Sequence, residues 1–190
     1  MQPEALLATA AQYYPEGIEN YAPAYRDSVE FQRLSEVLAR SRRLASDSPA
    51  EHPWGGFCEL LGREFDGCSV WNNHEERYDP CHGCRVYLPW VTPGRDVAHA
   101  ECVVVLVSLL APVYALYASR ASAWVRLAEF PARFVEHEAR LAALVEAEFG
   151  YTRVPAPTLA MAVPDRVPPD ASLNLGEAAL IDLLFTPDRW

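Results

Sequence analysis

Residues 102–119 read CVVVLVSLLAPVYALYAS, a run without a single charge, and how this stretch is buried decides the fold. A membrane helix needs roughly 20 apolar residues, so the run lies at the lower edge of that length. Pro112 sits near its middle, and Val103, Val104, Val105, Val107, Val113, Tyr114 and Tyr117 are residues that favour a pleated strand over a helix. The flanks are Glu101 and Arg120, without the basic cluster that orients a membrane helix. The stretch therefore predicts two buried strands, or one long strand bulged near Pro112, and no membrane span.

On the N-terminal side, short extended pieces at 69–71 and 85–91, the second closed by Pro93-Gly94, are expected to pair with this run. Residues 124–127 suit either a further strand or the lead-in to the next helix. Helical spacing brackets the strands. Asp27 and Glu30 form a capping-box-like pair ahead of Phe31, Leu34 and Leu38, which predicts a helix over 28–43. Phe57, Leu60, Leu61 and Phe65 share a face of a second helix ending near Gly67. Beyond Pro131, the residues Phe134, Leu141, Leu144 and Val145 mark a long helix that Gly150 stops. Five prolines between 151 and 172 predict an extended arm laid over the domain, and 177–185 a short closing helix.

These elements predict an α+β fold: a mostly antiparallel sheet of four or five strands with helices packed on one face. One domain is expected over 1–190, with a helical part at 1–66, the sheet at 67–128, and the long helix, arm and short helix at 129–190. Alternating βαβ units are absent from the pattern, and with them the crevice that binds nucleotides in doubly wound sheets.

Composition narrows the function classes. The chain has 190 residues, 51% hydrophobic and 22% charged, and a formal charge of −10; its 16 basic residues are all arginine. Such acidity repels nucleic-acid phosphates and anionic lipid and attracts basic partners, although maintaining solubility is the explanation preferred for it here. Direct nucleic-acid binding is disfavoured. The opening residues carry Glu4 and no basic segment, so they do not read as a secretory signal, and a cytoplasmic location is expected.

Reactive residues concentrate at 67–84. Cys81 and Cys84 have the spacing of a metal knuckle, with Pro80 and Gly83 as turn residues, and Cys68 and His74 would complete a tetrahedral zinc site. The simpler reading, preferred here, is that Cys58, Cys68 and Cys102 are small buried hydrophobes and no cofactor is bound. A thioredoxin-type reading of Cys81 and Cys84 fails on context, because the pair leads into a strand and not into a helix N-terminus. No metalloprotease, nucleophile-elbow or phosphate-loop motif occurs. His137 is expected to be a hydrogen-bonded core residue. Glu136, Glu138, Glu146 and Glu148 read as a solvated helix face, with an acidic partner-binding surface as the sharper alternative.

Asp79-Pro80-Cys81 through Cys84-Arg85-Val86-Tyr87-Leu88-Pro89, Leu110-Ala111-Pro112 with Tyr114, Phe149-Gly150-Tyr151 and Leu175-Gly176-Glu177-Ala178 together give the last two thirds of the chain a texture that resembles small bacterial immunity proteins encoded beside polymorphic toxins. The resemblance transfers no site residue. It implies a non-enzymatic cytoplasmic protein that binds and occludes a cognate toxin, often a basic nuclease. The competing classes are an enzyme with a Cys/His site around 68–84, with His74, Cys81 and His82 the first suspects, and a zinc-stabilised structural protein.

Overall fold

A computed structural model describes residues 2–47, 52–73, 79–87, 101–120, 125–126, 130–169 and 171–186. The uncharged run is a hairpin of two strands, β3 (Glu101–Ser108) and β4 (Val113–Arg120), paired antiparallel from Glu101↔Arg120 to Val107↔Tyr114. Pro112 lies in the turn between them, where its missing N–H interrupts no ladder. β2 (Cys81–Tyr87) pairs with the other side of β3, and β1 (Ser69–Asn73) pairs with β2. β5 (Val125–Arg126) closes the antiparallel order β1-β2-β3-β4-β5, and β6 (Thr152–Arg153) adds in parallel to the start of β4. The fold is α+β with a mostly antiparallel sheet, as the sequence predicts.

The helices do not lie on one face. Cys102, Val104 and Leu106 of β3 pack with α1 (Pro3–Ala10), α3 (Val29–Asp47) and α7 (Leu180–Leu184). Val103, Val105 and Val107 point the other way, against α4 (Pro53–Glu64) and α5 (Val135–Phe149). A strand buried on one side alternates apolar and polar residues, whereas one covered on both sides reads as the unbroken apolar run seen here. Among the described residues no helix is long and apolar enough to cross a membrane.

Local chemistry sets the boundaries. The cap of α3 is Ser28, whose Oγ accepts the Phe31 N–H at 3.1 Å, and not the expected pair Asp27 and Glu30; Asp27 ends a further short helix, α2 (Pro23–Asp27). α4 starts at Pro53, whose fixed φ and absent N–H suit a first helical position. Pro131 precedes a 3₁₀ turn, Ala132–Phe134, that runs into α5, and Gly150 ends that helix at φ 66°. β2 begins four residues before the expected start at 85, and residues 88–91 lie outside the described set.

The proline-rich arm contains β6 and a one-turn helix, α6 (Ala156–Leu159), and lies along the N-terminal segment. Tyr25 donates its hydroxyl to Val167 O at 2.6 Å, Asn20 Nδ2 reaches Pro168 O and Ala171 O at 3.0 Å each, and Gly17 N–H donates to Asp165 O at 2.8 Å. α7 begins at Leu180, later than the expected 177. Asp182 caps it by accepting the Ala179 N–H at 2.8 Å, while the Glu177 carboxylate accepts from the Asn174 backbone and side-chain amides.

Candidate functional site

Cys81 and Cys84 do not converge. The segment between them is strand, not turn, and residues three apart on a strand point to opposite faces. Cys81 belongs to the core shared with α1, α3 and α7, and Cys84 to the core shared with α4 and α5. Cys68, just before β1, packs at the margin of that second core. His74 lies outside the described residues. The three described members of the proposed zinc set therefore do not share one point, and among the described residues no cluster of three or more His, Cys, Asp or Glu is placed to hold a metal.

Cys84 has a neighbour that spacing does not suggest. Cys58 of α4 packs against the same core. The Cys84 thiol lowers the Cys58 pKa, while Cys58 and burial together raise that of Cys84 well above the ordinary range. Burial pushes Cys102 up to about 11, against the lowering effect of Arg85.

Two sites emerge. In the first, the His82 ring on β2 stacks on Trp54 at 5.4 Å between centroids and meets the His52 ring edge-on at 5.0 Å. Ser41 Oγ on α3 stands 3.5 Å from His82 Nε2, and Trp54 Nε1 donates to Asn72 Oδ1 at 2.9 Å. Ser41 and His82 are both buried. His82 was among the suspects of the sequence. Ser41, His52 and Trp54 were not, because only the packing of α3 and α4 against β2 joins residues so far apart along the chain.

The second site is a cavity of about 460 Å³ where the end of α4 meets the start of α5. Glu64, Asp66 and Glu136 contribute acid to its lining, Arg63 and Arg140 base, and Phe65, Cys68 and His137 the remainder. Arg140 pairs with Glu64 at 2.6 Å and lies over the Phe65 ring at 5.1 Å. The His137 ring stacks on Phe65 at 5.9 Å, and its buried Nδ1 has no hydrogen-bond partner among the described residues, contrary to the satisfied core histidine expected. The Cys68 thiol is raised above its ordinary pKa by burial, an effect that Arg140 opposes and Asp66 adds to.

The four acids of the long helix do not form one surface. Glu138 pairs with Arg153 at 2.6 Å, and Glu146 accepts the Tyr114 hydroxyl at 2.8 Å. Glu136 faces the cavity, and Glu148 is exposed near the opposite end of α5. Compared with known proteins, the chain matches no family model, no curated protein and no solved structure.

Proposed function

We propose that this chain is a non-catalytic acidic binding protein of the immunity type, which neutralises a cognate toxin, with a basic nuclease the leading class, by occluding it. The observation that carries this reading is the charge of −10, because an acidic surface complements a basic cleft and speeds encounter with it. The cavity between α4 and α5 supplies a point of contact. Glu64, Asp66 and Glu136 outnumber the arginines around it, which leaves its lining net acidic. The contact thus involves one of the four acids of α5, Glu136, with Asp66 in place of the others.

The test is protection. Co-expression is expected to rescue cells from the toxin encoded beside this gene, and the purified pair to associate more slowly as salt rises while dissociation changes little. Asp66→Arg and Glu136→Arg are expected to slow association severalfold with the fold intact. Association that is indifferent to salt and to both reversals overturns the acidic-occlusion reading.

Among the described residues, the contact that favours the enzyme reading is Ser41 Oγ beside His82 Nε2, which has the form of a nucleophile and its base. Folded Ser41→Ala and His82→Ala variants separate the two readings. Occlusion predicts that both still protect, and turnover predicts that both bind without protecting.

A further inference from the structure

We infer that the cavity between α4 and α5 is a binding site for a free basic amino acid, with arginine the best fit: a ligand that carries two cationic groups and one carboxylate on a short apolar stem. Binding by the isolated chain needs no toxin, so it is separate from the occlusion reading of the same cavity.

The charges around the cavity divide into committed and free. Arg140 is held by Glu64 at 2.6 Å, so these two neutralise each other in the wall. Arg63, Asp66 and Glu136 line the same cavity without an ion pair or hydrogen bond among the described residues. Two free carboxylates and one free guanidinium are the inverse of the charges on arginine or lysine at neutral pH, which are an α-ammonium, a side-chain cation and an α-carboxylate. A simple amine leaves Arg63 unanswered. A neutral amino acid leaves one of the two carboxylates so, and an acidic one adds repulsion. Complementarity of charge therefore selects the class of ligand.

The remainder of the cavity suits the stem. Its volume of about 460 Å³ lies within the roughly 300–1,000 Å³ that small-molecule sites span. Phe65 is buried, and two neighbours fix its ring: His137 stacks on it at 5.9 Å, and Arg140 Cζ lies 5.1 Å from its centroid. A methylene chain lies against such an apolar wall while its charged ends stay among the polar groups at the rim. Arg63 stands in the last turn of α4, Asp66 just beyond its end, and Glu136 in the first turn of α5. The backbone that carries the three charges is thus in place before any ligand arrives, which limits the ordering that binding must impose.

The experiment titrates the full isotope-labelled chain with L-arginine and follows the backbone amide shifts. A ligand of this size is expected to bind with a Kd on the order of 1 mM, with saturating shifts concentrated in residues 63–68 and 136–140. L-lysine is expected to bind at the same place. Agmatine lacks the carboxylate, citrulline lacks the side-chain cation, and N-acetylarginine lacks the α-ammonium and imitates an arginine at the end of a polypeptide. Each is expected to bind about tenfold more weakly, the loss of one charge-assisted contact. Asp66→Asn and Glu136→Gln are expected to weaken arginine by a similar factor. Arg63→Gln is expected to weaken arginine about tenfold and to leave agmatine unchanged, because agmatine has no carboxylate for Arg63 to meet. Shifts that do not saturate, shifts spread over the whole surface, or binding of agmatine or N-acetylarginine as tight as that of arginine each overturns the inference. If arginine does not bind and Asp66→Arg still slows association with the toxin, the amino-acid site falls and the occlusion reading stands.

Discussion

Tyr14 and Tyr25 are completely buried, and each spends its hydroxyl on a backbone carbonyl far along the chain, Leu183 and Val167 respectively, at 2.6 Å. Removing such a donor strands a buried carbonyl, so Tyr14→Phe is expected to lose about 1–3 kcal/mol in urea denaturation. Burial, with smaller contributions from Tyr25, Asp79 and Cys81, raises the Tyr14 pKa well above its ordinary value. The unfolded chain releases this proton near pH 10, roughly the ordinary tyrosine value, while the folded chain retains it. Above that pH the native state binds more protons than the unfolded one, so stability falls as pH rises. Comparing urea midpoints at about pH 9 and pH 11 is expected to show a shallower fall in Tyr14→Phe than in the wild type. Equal slopes would remove Tyr14 from the alkaline transition.

The elements depend on a few boundary residues. Gly150→Ala keeps open space around the new methyl but places it at φ 66°, so its expected cost of about 1 kcal/mol is conformational alone. Ser28→Ala removes the acceptor for the Phe31 N–H and is expected to cost a similar amount, about 1 kcal/mol. Thermal melts of both variants check this, and a Ser28→Ala melt matching the wild type would mean that α3 gains nothing from its cap. The two boundaries also differ in how far the sequence reveals them. Gly150 follows a strong helical stripe and was legible. The α3 cap was misplaced by one residue because Asp27 and Ser28 are both good caps, and only the preceding short α2, which ends at Asp27, leaves Ser28 to cap α3. The Cys81–Cys84 segment was misread for a related reason. Its spacing and its glycine are those of a metal turn, whereas pairing of Gly83 with both Asn73 and Leu106 holds it flat between two strands. Cys58 with Cys84, and Ser41 with His82, were beyond reach of local pattern, since nothing in the sequence gives the register of a helix over a sheet.

At the scale of the whole molecule, β3 is paired on both edges and covered on both faces, while β1 is the terminal strand of the described order. Local openings that expose β3 amides must dismantle both helical layers or both neighbouring strands. Hydrogen exchange is therefore expected to be slowest across Glu101–Ser108 and measurably faster in Ser69–Asn73. Similar protection in the two strands would show that the sheet opens only as a unit.

The proline-rich arm and α7 hold the N-terminal segment through bonds that join residues 142 to 169 positions apart. A ribosome delivers the chain in order, at roughly 5–20 residues per second. When Phe149 has emerged, every strand from β1 to β5 has been delivered, together with α4 and α5, yet Tyr14 and Tyr25 still lack the carbonyls that accept their hydroxyls. The segment that carries Tyr14 and Tyr25 is thus secured only after the sheet has been delivered. Until residues 163–185 arrive, α1 and α3 have the sheet to pack on but not the arm and α7, so the nascent chain leaves exposed apolar surface that the finished fold covers.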